Sequence, residues 1–63
     1  MDKEIEILFD GFGRSTKLAQ QYIIDGKDYW IPKSQIRHID LIDQVVTLPE
    51  WLVYEKRLEQ YAF

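Results

Sequence analysis

Asp25-Gly26 sits between two runs of aromatic and β-branched residues, Tyr22-Ile23-Ile24 before it and Tyr29-Trp30-Ile31 after it, and this arrangement restricts the fold more than any other feature of the chain. A tight two-residue turn needs positive φ at both central positions, which Gly adopts freely and Asp tolerates better than most residues, so the segment predicts a β-hairpin. Pro32 has no N–H to donate to a ladder and ends the second strand at or just after itself. Residues 3–9 alternate Glu4 and Glu6 with Ile5, Ile7 and Phe9, the period-two pattern of a strand with one wet face. Asp10-Gly11-Phe12-Gly13-Arg14-Ser15 has two glycines among small polar residues and reads as a turn or loop. Residues 36–42 are expected to leave a short turn at Lys33-Ser34-Gln35 as a strand. Asp43-Gln44 reads as a second tight turn, followed by a last strand through Val45-Val46-Thr47.

Thr47-Leu48-Pro49-Glu50 has the spacing of a capping box, with Pro49 in the first turn of a helix. Trp51, Tyr54, Leu58 and Tyr61 follow at i, i+3, i+7 and i+10, which predicts an apolar stripe on a helix over about 48–61 packed on the sheet. The expected class is α+β and mainly antiparallel: a small SH3/OB-like twisted sheet or barrel with one C-terminal helix. Residues 1–63 form one small domain, with the sheet over about 3–47. The expected core is Ile5, Ile7, Phe9, Tyr22, Ile24, Trp30, Ile31, Ile36, Ile39, Leu41, Val46, Trp51, Leu52 and Leu58.

Composition narrows the function. Sixty-three residues with 46% hydrophobic side chains and nine aromatics can build one core, and below about 70–80 residues such a core rarely supplies more than about 3–5 kcal/mol. Little free energy is left over for strained or unpaired catalytic groups. The chain has no Cys, which excludes disulfides, thiolate nucleophiles and cysteine-ligated metal sites. His38 is the only histidine, so sites built on two imidazoles are excluded; it reads as an ordinary strand histidine able to pair with Asp40. The carboxylate pairs Glu4/Glu6, Asp25/Asp28, Asp40/Asp43 and Glu55/Glu59 read as turn formers or solvated faces. No catalytic residue, cofactor or metal is expected, and the chain is read as nonenzymatic. No apolar run is long enough to cross a bilayer, and Met1-Asp2-Lys3-Glu4 does not open like a secretory signal, so the expected location is cytoplasmic.

Eight Lys/Arg against eleven Asp/Glu leave a net charge of −3, the wrong sign for gripping duplex DNA through its phosphates. Phe12, Arg14 and Lys17 form the one compact basic and aromatic cluster. Beside an exposed sheet aromatic such as Tyr29 they could stack and hold a nucleic-acid single strand. The acidic set of Asp2, Glu4, Glu6, Asp10, Asp40, Asp43, Glu50, Glu55 and Glu59 suits docking on a basic protein surface. The binding candidates are therefore Phe12, Arg14, Lys17, Tyr29, Asp40 and Asp43. Open sheet edges also allow a homodimer.

Trp30-Ile31-Pro32-Lys33-Ser34-Gln35-Ile36 resembles the segment near the end of SH3-like barrels, where an apolar strand reaches Pro, makes a 3₁₀ turn and continues into another apolar strand. SH3 peptide grooves use an acidic first loop and a Tyr after that turn, whereas this chain has Arg14, Lys17 and Ile36 there. The wider pattern, a Gly hairpin followed by Trp-Ile-Pro-Lys-Ser-Gln-Ile and then Leu-Pro-Glu-Trp-Leu, resembles small uncharacterised proteins of phages and other mobile elements. That resemblance implies a binding module, an inhibitor of the anti-CRISPR or another anti-defence kind, docking on a nucleic-acid-handling host complex. A small β-barrel that binds single-stranded nucleic acid is the alternative.

Overall fold

A computed structural model describes residues 3–63; Asp2, one of the acidic residues, lies outside them. Six strands form two three-stranded antiparallel sheets. The first has the order β1 (Glu4–Leu8), β6 (Val45–Pro49), β5 (His38–Asp40); the second has the order β2 (Gly11–Ser15), β3 (Ala19–Ile24), β4 (Lys27–Pro32). One helix, α1 (Glu50–Glu55), follows β6, and 3₁₀ turns occupy Lys33–Gln35 and Glu59–Tyr61. The class is α+β. Among the described residues the sheets do not close into a barrel.

The hairpin forms where the aromatic and β-branched runs meet Asp25-Gly26. Asp25 has φ of 53° and Gly26 of 75°, and β3 and β4 pair without a register break from Ala19↔Pro32 to Ile24↔Lys27. Cross-strand partners share a face. Phe12, Tyr22 and Tyr29 therefore stand in one row and Gln20 beside Ile31 in the next, while Gln21 and Trp30 share the opposite face. In the first sheet Ile5 pairs with Leu48, and Ile7 with Val46, which also faces Ile39. One cluster joins the two sheets: Ile7, Val46 and Leu48 from the first pack with Tyr22, Ile24 and Ile31 from the second, closed by Phe9, Leu52, Val53 and Leu58.

Four residues expected in the core lie outside it. Trp30 is 39% exposed because its neighbours Tyr29 and Ile31 take the inward face of β4. Leu41 is 67% exposed in the β5–β6 turn, and Ile39 is exposed on a strand of only three residues. Trp51 is 48% exposed because the helix turns Leu52 and Val53 inward instead.

The glycine-rich stretch expected as a loop is β2. Its pairing with β3 shifts register between Phe12 and Ser15, the mark of a bulge on an edge strand. A Cβ on Gly13 would collide with the Gln21 side chain, whose Oε1 accepts from the Arg14 N–H at 2.9 Å. A bare backbone at Gly13 is thus what lets Gln21 repair the ladder. The strand expected over 36–42 is reduced to β5, because Asp40 Oδ1 accepts from the N–H groups of Ile42 (2.9 Å) and Asp43 (3.1 Å) and starts the turn there.

The helix is shorter than its sequence pattern predicts, and both ends differ. Thr47 is buried in β6 and makes no capping box; Pro49 occupies the N-cap without a side-chain cap bond. At the other end the Arg57 N–H donates to the Tyr54 carbonyl at 3.1 Å and the Leu58 N–H to the Val53 carbonyl at 2.9 Å. With Arg57 at φ 57°, this is a Schellman motif, complete with the apolar partnership of Leu58 and Val53 in the core. An Arg holds the left-handed position that Gly usually takes. Arg57→Gly is expected to raise stability by about 0.5–1 kcal/mol, since a left-handed side chain costs about 1–2 kcal/mol and Gly gives part of that back as chain entropy. Urea denaturation followed by circular dichroism measures it.

Candidate binding cleft

The seam between the two sheets holds a cleft of about 280 Å³ lined by Phe12 of β2, Gln20 and Tyr22 of β3, Lys33 of the first 3₁₀ turn, Ile36, and Ile39 of β5. The fold explains each position. Phe12 and Tyr22 are cross-strand partners, and Gln20 stands on the same face two residues before Tyr22. Pro32 stops β4 and the 3₁₀ turn reverses the chain, with the Lys33 N–H donating to the Leu18 carbonyl at 2.8 Å. The reversal delivers Ile36 and β5 to the other side of the seam. Both flanking strands are edges: β2 is the outer strand of one sheet and β5 that of the other.

Three rings form one wall. Phe9, Phe12 and Tyr22 have centroid separations of 5.0–5.3 Å with tilted or edge-on planes, the geometry aromatic quadrupoles favour. Tyr22 is 0% exposed and its hydroxyl has no hydrogen-bond partner among the described residues, and burial pushes its pKa above the ordinary 10.0. A buried donor without an acceptor costs about 1–3 kcal/mol. Tyr22→Phe is therefore expected to fold normally and to gain up to about 1 kcal/mol, as a rise in thermal midpoint.

The candidates named from sequence are distributed as follows. Phe12 lines the cleft and is 45% exposed. Arg14 lies further along β2, its carbonyl accepting from Gln20 Nε2 at 3.2 Å, and Lys17 precedes Leu18, the residue bonded to Lys33. Neither Arg14 nor Lys17 lines the cleft, whose one charged side chain is Lys33. The ion pair among the described residues, Arg37 Nε to Glu4 Oε2 at 3.7 Å, involves none of Arg14, Lys17 and Lys33. Tyr29 packs partly buried against the core beside Tyr22. Asp40 ends β5 and bonds the backbone of the following turn, in which Asp43 lies. His38 is exposed on β5. Sequence reasoning missed Lys33, Gln20, Ile36 and Ile39 as one lining, because only the fold brings β5 across from β2. The signal that could have found Lys33 is its place directly after the strand-ending Pro32.

A second polar group stands apart from the cleft. The Tyr61 hydroxyl donates to Asp25 Oδ2 at 2.9 Å, the Asp25 N–H donates to Asp10 Oδ2 at 2.9 Å, and Gln44 Nε2 donates to the Asp10 carbonyl at 3.1 Å. These bonds tie the C-terminal 3₁₀ turn to the hairpin. The bond to Asp25, helped by burial and by the negative charge of Asp25, holds the Tyr61 pKa above the ordinary 10.0. A pKa raised by folding means stability that is whole below about pH 10 and is lost as pH climbs through the raised value. Tyr61→Phe is expected to flatten the fall of the urea midpoint above pH 10 and to leave its slope between pH 6 and 9 unchanged.

Among the described residues no three His, Asp or Glu side chains gather closely enough to hold a metal ion, and no helix is long and apolar enough to cross a membrane. No protein-family model, curated protein or solved structure matches the chain.

Proposed function

We propose that this chain is a nonenzymatic protein-binding module whose partner engages the cleft at the seam between the sheets. The observation that carries the reading is the meeting of an apolar, aromatic-walled cleft with two strand edges, β2 and β5, that pair with no further strand among the described residues. Exposed edges and concave apolar surface are what a protein uses to add a partner's chain to its own sheet. The cleft is a poor match for catalysis by comparison: its titratable side chains are one Lys and one buried Tyr. In a finer form of the proposal the module is a phage or mobile-element inhibitor that docks on a nucleic-acid-handling host protein. The exposed carboxylates of Glu4, Glu6, Asp43, Glu55 and Glu59 favour that form, because such hosts present basic surfaces. Affinity capture from the source cell, repeated with competing nucleic acid, tests both levels. A single stoichiometric partner supports the module, and release of that partner by nucleic acid supports the inhibitor. Failure to retain any protein removes both.

A second reading, single-stranded nucleic-acid binding, draws support from the half-exposed Phe12 ring, which Arg14 and Lys17 follow in the chain. Titration with labelled oligothymidylate at low salt decides it. Salt-sensitive affinity lost in Arg14→Glu/Lys17→Glu supports it, and no binding at low salt removes it.

A further inference from the structure

We propose that the cleft receives an extended segment of the partner protein, laid as an added antiparallel or parallel strand on the free edge of β5, with one large apolar side chain seated between Phe12, Ile36 and Ile39 and an acidic side chain paired with Lys33. The inference rests on the protein-binding reading and names the ligand class at that site.

Three observations converge on this occupant. The first is size. About 280 Å³ falls just short of the roughly 300–1,000 Å³ of pockets that enclose drug-sized ligands, so the space suits a side chain or two of a longer chain that continues past it. The second is the edge. β5 keeps an unbroken register with β6 from His38↔Thr47 to Asp40↔Val45, whereas β2 is broken by its bulge and by the Gln21 side chain over Gly13. A bulge blunts an edge against further pairing, and β5, though only three residues long, has none. The third is charge. Lys33 is the one charged side chain of the lining, on a chain whose net charge is −3. Its ammonium at an otherwise apolar cleft selects an acidic side chain in the inserted segment.

The test begins with a displayed library of random decapeptides selected on the intact chain. Enrichment of sequences that alternate apolar with acidic residues is expected. Their addition to the ¹⁵N-labelled protein should shift amides of residues 11–15 and 33–40 and leave α1 unmoved. Lys33→Glu is expected to weaken the selected peptide at least tenfold in a chain whose thermal midpoint is not lowered. Methylating alternate backbone nitrogens of the peptide should abolish binding, because strand addition needs those N–H groups. The proposal is overturned by a selection that enriches nothing, by enriched basic sequences, by shifts confined to α1 or the Trp30 face, or by an N-methylated peptide that binds like its parent. It is also overturned if oligothymidylate alone reproduces the cleft shifts. A protein captured from the source cell that binds Lys33→Glu and Ile39→Asp as tightly as the unaltered chain removes the cleft and leaves the protein-binding reading standing. Capture of nothing removes that reading as well.

Discussion

Leu58→Ala is expected to leave the chain largely unfolded at 25 °C. Leu58 is wholly buried and reaches the core only because the Schellman motif turns the backbone after α1 and sets it beside Val53. Truncating a buried Leu to Ala costs about 2–5 kcal/mol, and a core of this size holds about 3–5 kcal/mol in total. The loss therefore consumes most of what there is. Circular dichroism should show the strand signal of the unaltered protein collapse without denaturant, or with a urea midpoint close to zero. Leu58→Met, which conserves volume, should cost less than about 1.5 kcal/mol. Leu18→Ala, at an exposed loop position, should fall within about 0.5 kcal/mol of the unaltered chain. A Leu58→Ala protein as stable as Leu18→Ala would mean that the C-terminal segment does not complete the core.

Gly26→Val is expected to cost about 2 kcal/mol, the second-largest single effect. The β3–β4 turn holds two consecutive residues in the left-handed region, Asp25 at 53° and Gly26 at 75°, as the primed hairpin turn demands. A left-handed side chain costs about 1–2 kcal/mol, and β-branching puts Val at the upper end because both γ-carbons crowd the backbone. Space is not the obstacle: a Cβ on Gly26 meets nothing within 4 Å. The penalty is therefore conformational, and Gly26→Asn, whose side chain tolerates this region, should recover more than half of it. Equal destabilisation by Asn and Val would point to some other cause.

The parts of the fold legible in the sequence are those whose signal is local. Asp25-Gly26 carries the hairpin because two adjacent residues supply the φ values the turn needs, and the alternation of Glu4, Ile5, Glu6 and Ile7 carries β1. The features that escaped depend on distant residues or on unusual occupants. Gly11-Phe12-Gly13 looks like a loop by composition. It is a strand because the side-chain oxygen of Gln21, on the facing strand, accepts from the Arg14 N–H across the bulge. The end of α1 is hidden because Arg57 takes a position where Gly is the usual signal, and without that signal the spacing of Trp51, Tyr54, Leu58 and Tyr61 reads as one long helix. The cleft is the least legible of all. Phe12 and Ile39 line it together although they are far apart in the chain, and only the reversal after Pro32 brings them together. Phe12 was recognisable as an aromatic beside basic residues. Lys33 and the unpartnered Tyr22 hydroxyl became visible with the sheets in place.

Amide hydrogen exchange of the chain, alone and saturated with its captured protein partner, reports most directly on whether the seam is the place of engagement. The expected result is slowed exchange at residues 11–15 and 36–40, with the amides of α1 and β4 unchanged. Protection on α1 or β4, while β2 and β5 exchange as they do in the free chain, contradicts it.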